Sequence, residues 1–172
     1  MFTKADIERY FLAEKNESLL FIFIGAAAII LAIIFFFFIK SNWHKGFSIP
    51  LLVIGLLQLV AGFTVYNRSD DDRKRNVYAY DMNIGELKEK ELPRMETVIK
   101  KFILYHYIEF GLLLIGLVLF FAFMNKTEMQ FWKGFGVALA VQAAITLSAD
   151  YVAAKRAITY TNGLAGFISN TK

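Results

Sequence analysis

The sequence contains no cysteine and only two histidines, His44 and His106. Without cysteine the chain forms no disulfide, no zinc–thiolate site and no iron–sulfur cluster, and it has no thiol nucleophile. It also lacks a P-loop, a G-x-S-x-G motif, an H-E-x-x-H motif and a G-x-G-x-x-G fingerprint. We therefore expect a protein that is not an enzyme and that carries no cofactor.

Charge is nearly absent from four long apolar runs. The chain is 57% hydrophobic and contains 18 phenylalanines, which exceeds the composition of an ordinary soluble domain. The runs cover residues 19–39, 49–66, 102–123 and 132–151, and each has about the length that an α-helix needs to cross a bilayer. The sequence therefore predicts an all-α membrane protein, built as a four-transmembrane-helix bundle.

The segments outside these runs are short. Residues 1–18 mix acidic and basic side chains, unlike the start of a signal peptide, so we expect the first run to stay in the mature protein. Their helical spacing of apolar residues predicts either an amphipathic helix on the membrane surface or a solvated extension of the first span. No room is left for a separate soluble domain. The predicted division is an amphipathic segment 1–18, a first hairpin 19–66 (spans 19–39 and 49–66), a cytoplasmic loop 67–101 with a helical segment, a second hairpin 102–151 (spans 102–123 and 132–151) and a cytoplasmic tail 152–172. Within the tail, residues 153–161 can continue the helix and residues 162–172 are expected to be frayed.

The distribution of Lys and Arg predicts the orientation. Of 19 such residues, 15 lie in residues 1–18, 67–101 and 152–172, and 4 lie in the two short connections. The positive-inside rule then places both termini and the 67–101 loop in the cytoplasm, as in a bacterial inner-membrane protein. The loop begins with charges of both signs, which argues against a nucleic-acid partner.

The two halves of the chain resemble each other. The second run is preceded by the sequence WHKGF at 43–47, and the fourth begins with WKGF at 132–135. This similarity predicts two parallel two-helix repeats, related by an axis along the membrane normal. The alternative is that a Trp anchor, a snorkelling Lys and a turning Gly suit any outer-interface corner.

Small residues recur every four positions along the fourth run, at Gly136, Ala140, Ala144 and Ser148. Small side chains let helix backbones approach closely in a membrane. We therefore expect this ladder to form a tight seam with another helix.

Polar side chains interrupt three of the four apolar runs. Ionisable residues inside a span are costly, and by default they indicate a functional site. In the predicted topology these side chains collect toward the cytoplasmic side, while the first run contributes none. The candidate binding residues are His106, Glu109, Tyr105, Gln142, Thr146, Asp150 and Gln58.

Three interpretations of this cluster remain open. It is either a structural cluster that satisfies buried polar groups, or a water-filled vestibule in which Glu109 and His106 carry ions, protons or a small solute. A metal site of His106, Glu109 and Asp150 is disfavoured, because a carboxylate di-iron bundle needs Glu-x-x-His on two helices and this chain has one reversed copy. In the first two cases the cost of burial predicts that Glu109 points into the bundle.

Two classes of function follow. The first is a small membrane protein that binds a protein partner in or at the membrane, as accessory subunits, regulators and toxin-immunity proteins do. The alternative is an oligomeric transporter or channel for ions or small solutes, since four short spans rarely enclose a pathway in one copy. Expected partners are the lipid bilayer and either another protein or further copies of this chain.

Overall fold

The computed structural model describes residues 2–39 and 41–170, and in this part of the chain it is almost entirely helical, with no strand. Four long helices follow one another: α1 (Lys4–Phe38), α2 (Asn42–Met82), α3 (Ile84–Phe123) and α4 (Thr127–Asn170). Met1, Lys40 (counted above with the short connections) and the last two residues of the tail, Thr171 and Lys172, lie outside the described residues.

All four helices are long and apolar enough to cross a membrane, and all are longer than crossing requires. Helices of 35 to 44 residues extend roughly 50–65 Å, whereas a bilayer core is about 30 Å thick. The four apolar runs lie side by side and form the apolar half of the molecule. The excess length lies at the end that contains both chain termini and the α2–α3 connection, and it forms a polar half.

The expected loop over residues 67–101 is wrong, because α2 continues to Met82 and α3 begins at Ile84, with Asn83 alone between them. Ion pairs three and four residues apart stabilise this part of α2, where Asp72 pairs with Arg68 and Arg75. Further along, a wide π turn at Leu87–Glu91 precedes Pro93. Such a turn accommodates a proline without ending the helix.

The polar half has a hydrophobic core of its own. Ile7 and Phe11 from α1, Ala79 from α2, Leu87 from α3 and Leu164 from α4 are between 0% and 1% exposed and belong to one cluster. Full burial of an Ile, Leu or Phe side chain contributes about 1.5–3 kcal/mol. The four helix ends thus form one packed unit that is continuous with the apolar half, and the absence of a separate soluble domain stays a prediction.

Both chain ends belong to this unit. Thr3 and Asp6 form a capping box, and α1 then runs without a break into its apolar run. Residues 4–18 are therefore an extension of the first span and not a separate helix on the membrane surface. The tail is helical up to Asn170, with Leu164 fully buried. The expected fraying of residues 162–170 is wrong because their apolar face packs against α1 and α2.

Glycines set the helix contacts in the apolar half. A Cβ atom at Gly25 of α1 would lie 2.6 Å from the carbonyl oxygen of Gly55 in α2. In the second hairpin, a Cβ at Gly116 of α3 would lie 2.8 Å from the carbonyl oxygen of Gly136 in α4. Both hairpins therefore close through backbone contacts that a larger residue would obstruct.

The parallel helices α2 and α4 meet at the two WKGF-type corners. A Cβ at Gly46 would lie 1.9 Å from the carbonyl oxygen of Phe131, and one at Gly134 would lie 2.1 Å from the carbonyl oxygen of Trp43. Trp43 precedes Gly46 by as many residues as Phe131 precedes Gly134. The two contacts are therefore equivalent, and each corner places its glycine against the backbone of the other corner.

The small-residue ladder of α4 is only half buried. Gly136 and Ala140 contact Gly116 of α3, whereas Ala144 and Ser148 are exposed. The expectation of one continuous seam is therefore wrong for its second half. Along residues 102–123, α3 packs on α4 and has few contacts with α1 and α2, which leaves a gap between α3 and the first hairpin.

Candidate ligand cavity

The gap between α3 and the first hairpin is a cavity of about 520 Å³, which lies where the apolar half meets the polar half. All four helices contribute to its wall. Its apolar side chains come mainly from α2 and α3, and Ile54, Leu57, Phe102, Ile108 and Leu112 are among them. Tyr105 also lines it and is 45% exposed.

Two predicted site residues join α2 to α4 beside this cavity. Gln58 and Gln142 are 4% and 2% exposed, and the Gln58 Nε2 group donates a hydrogen bond to Gln142 Oε1 over 3.5 Å. The Thr146 hydroxyl lies one turn further along α4, where it donates to the backbone carbonyl oxygen of Gln142 at 3.0 Å. Gln58 and Thr146 line the cavity. The glutamine pair therefore joins α2 to α4 at the cavity wall through one hydrogen bond, and Gln58 Oε1 is buried without a partner among the described residues.

Glu109 of α3 and Asp150 of α4 face each other in the cavity wall. Their carboxyl groups are close enough to form a hydrogen bond when one of them carries a proton, and Asp150 also lies near the imidazole of His106. Glu109 Oε2 and His106 Nε2 are buried and have no hydrogen-bond partner among the described residues. His106 itself does not line the cavity.

Lys and Arg side chains of the described residues make no salt bridge to Glu109 or Asp150. The other two carboxylates of the cavity are paired. Glu14 of α1 lies 3.2 Å from Arg68 Nη2 and accepts a hydrogen bond from the Ser69 hydroxyl, and Glu17 pairs with Arg156 of α4. Negative charge without a fixed basic partner is thus confined to the Glu109–Asp150 pair.

Burial raises the pKa of Glu14 above its usual value of 4.5, and the nearby guanidinium of Arg68 opposes this shift only in part. The Glu14 side chain is 11% exposed. Loss of hydration therefore outweighs the attraction of a single arginine at this position.

The contribution of α1 was not anticipated from the sequence, which predicted no polar side chain from the first run. Tyr10, Glu14, Glu17, Ser18 and Phe21 all line the cavity. Their spacing of four, three, one and three residues places them on one face of a helix. That stripe is visible in the sequence once residues 4–38 are treated as a single helix.

The arrangement does not resemble a metal centre. Among the residues that the structure describes, no three His, Asp or Glu side chains are grouped so that they could hold a metal ion. His106, Glu109 and Asp150 are neighbours, but they do not converge on one point. What the cavity offers chemically is an apolar wall, a fixed glutamine pair and one acidic pair.

Comparison of this chain with protein-family models, with curated proteins and with solved structures finds no match.

Proposed function

We propose that this protein spans a membrane with both termini in the cytoplasm and binds an amphiphilic, positively charged molecule in the cavity between α3 and the first hairpin. In this topology the apolar half lies in the bilayer and the polar half extends into the cytoplasm. A bacterial inner membrane fits the distribution of Lys and Arg. The cavity then lies in the inner leaflet.

The acidic pair of Glu109 and Asp150 is the observation that carries this proposal. Two adjacent carboxylates repel each other in a low-dielectric site, so the pair favours a proton or a cation between them. Glu14 and Glu17 already have arginine partners, whereas this pair has none. A positively charged ligand would supply the missing basic partner.

The remaining wall favours an apolar body on that cation. Small-molecule sites typically enclose about 300–1,000 Å³ and combine apolar walls with a few placed polar groups. This cavity has about 520 Å³, and its wall is dominated by aliphatic and aromatic side chains. The gap beside α3 also faces the surrounding bilayer, which gives an amphiphile a lateral path of entry.

Equilibrium dialysis of the detergent-solubilised protein tests the proposal with two probes of the same shape, tetraphenylphosphonium and tetraphenylborate. We expect the cation to bind and the anion to bind far more weakly. Replacing the pair, as in Glu109→Gln with Asp150→Asn, should weaken binding of the cation on the order of tenfold, because the attraction of a desolvated charge is lost.

The matched control is Glu96→Gln, which removes an exposed carboxylate from the polar part of α3, outside the cavity. It should bind the cation as the parent protein does. Equal binding of both probes, or parent-like binding by the doubly substituted protein, would contradict the proposal. A structural role alone for Glu109 predicts the second of these results.

Binding of a protein partner and transport of ions or small solutes by an oligomer stay predictions. The organisation as two parallel repeats also stays a prediction. The reciprocal glycine contacts of the two WKGF-type corners support it, because a two-fold axis between α2 and α4 would produce them.

A further inference from the structure

A second cavity, of about 800 Å³, opens between α1 and α4 on the other side of the polar half. Its lower edge is formed by Tyr151 and Val152, at the end of the fourth apolar run, and both side chains are more than half exposed. Tyr160 and Phe2 line its upper part. In the proposed topology this cavity therefore begins at the cytoplasmic membrane surface. It shares Tyr10 and Arg156 in its wall with the cavity between α3 and the first hairpin, the cation cavity, but lies on the other side of these side chains.

The charges that line this second cavity are mainly positive. Arg9 of α1 and Lys155 of α4 are exposed, and neither makes a salt bridge among the described residues. Arg156 pairs with Glu17 through one terminal nitrogen, while its Nε atom is buried without a hydrogen-bond partner.

Asp6 is the acidic residue in the wall of this cavity, and it is already engaged. Its Oδ2 atom accepts hydrogen bonds from the Thr3 backbone N–H and from the Thr3 hydroxyl, both at 2.8 Å. These bonds hold its pKa below the usual range. Asp6 therefore stays charged, with Arg9 near it, but an anion that enters the cavity meets more basic side chains than acidic ones.

We propose that this second cavity binds the headgroup of an anionic phospholipid of the cytoplasmic leaflet. Arg9 and Lys155 would contact the phosphate from two different helices, and the acyl chains would lie on the apolar surface below Tyr151. Guanidinium and ammonium groups are the usual partners of phosphate, and tyrosine suits the interface at headgroup level. The position at the membrane surface favours a lipid over a soluble phosphate compound.

Native mass spectrometry of the whole protein, released from mixed vesicles of phosphatidylglycerol and phosphatidylcholine, tests this inference. We expect retained phosphatidylglycerol on the parent protein. The variant Arg9→Gln/Lys155→Gln should lose that preference by roughly thirtyfold, in line with the attraction of two basic side chains to anionic lipid. A variant that still melts like the parent protein shows that the loss is one of binding.

The control is Lys100→Gln/Lys101→Gln, which removes two exposed charges from α3 near the same membrane surface but outside this cavity. It should retain phosphatidylglycerol as the parent protein does. Equal losses in both variants would show that general surface charge attracts the lipid, which would contradict the proposed site. Displacement of the lipid by millimolar inorganic phosphate would also overturn it, because the site would then take a soluble phosphate.

Discussion

Glu91 is 2% exposed, and its carboxylate accepts hydrogen bonds from two nitrogens of Arg94, at 2.8 and 2.7 Å, and from the Tyr160 hydroxyl at 3.3 Å. Arg94 also lies over the ring of Phe11. Burial opposes the charge of Arg94, but the hydrogen bonds and the charge of Glu91 outweigh it and raise the pKa of the guanidinium. The Glu91 carboxylate is thus paired with a basic side chain within the chain, in contrast to the acidic pair of Glu109 and Asp150, although Arg94 Nη1 is buried without a hydrogen-bond partner among the described residues.

Arg94→Met should destabilise the protein by about 3–5 kcal/mol, because it leaves the Glu91 carboxylate buried without a cation. Chemical unfolding in detergent measures the change. The double variant Arg94→Met/Glu91→Leu, which removes the stranded charge as well, should recover most of the loss. A single variant as stable as the parent protein would mean that Glu91 is protonated or hydrated in the folded state.

Glu14→Gln should change stability in a pH-dependent way. Since burial raises the pKa of Glu14 above its usual 4.5, the folded protein binds the proton more tightly than the unfolded chain does. The contribution of Glu14 to stability therefore falls as the pH rises above about 4.5, while glutamine stays neutral. The melting temperature of the variant minus that of the parent protein should increase from pH 4 to pH 7. A constant or falling difference would contradict the shift.

At the scale of helices, close contacts are made by small residues at a few levels. In the second hairpin a Cβ at Gly116 would lie 2.9 Å from the Cβ of Ala140, so α3 and α4 touch through their backbones there. One turn further, Ala144 is already exposed. The cavity lies on another side of α3, where α3 has few contacts with α1 and α2.

Ala140→Leu should cost on the order of 1–3 kcal/mol, because the added atoms meet the backbone of α3 where no space exists. Ala144→Leu is the matched control on the same helix, and it should change the melting temperature little because its side chain is exposed. Equal effects of the two substitutions, measured by thermal unfolding in one detergent, would show that the α3–α4 contact differs from the one described.

Hydropathy predicted the helices because long uncharged runs are typical of membrane spans. Residues 102–123 lie within α3, and the run 19–39 lies within α1 except for Ile39, its last residue. The helical course of residues 67–101 was missed for a physical reason. A charged run such as 68–75 is helical here partly through pairs to another helix, including Lys15–Asp70 and Glu14–Arg68, and such partners cannot be identified from local pattern. In the cavity, Glu109 and Asp150 were visible as charges in apolar runs, whereas Glu14 and Arg156 looked like ordinary surface residues.

At the scale of the whole molecule, the described chain is one set of four helices with two environments along its length. The polar half buries aromatic and charged side chains around Phe11 and Tyr160, and the apolar half buries mainly glycine and alanine. Large apolar side chains such as Phe37 and Phe38 are 70% and 77% exposed at the far end, where lipid would cover them. In the proposed orientation this polar half lies in the cytoplasm.

Cysteines at Asn42 and Lys126, both exposed at the ends of the apolar half, should react with an impermeant thiol reagent applied outside intact cells. A cysteine at Asp71, exposed in the polar half, should react only after the cells are opened. These variants carry no background because the chain has no cysteine of its own. Labelling at Asp71 in intact cells would reverse the proposed topology.

The binding of a cation in the cavity is tested most directly by protection of a single cysteine at Thr146. This residue lines the cavity, whereas Asn162 is exposed on the same helix outside it. In inside-out vesicles, saturating tetraphenylphosphonium should slow the reaction of Thr146→Cys with a small thiol reagent and leave Asn162→Cys unchanged. Tetraphenylborate should protect neither. Reaction of Thr146→Cys at the same rate with and without the cation would contradict the proposed binding site.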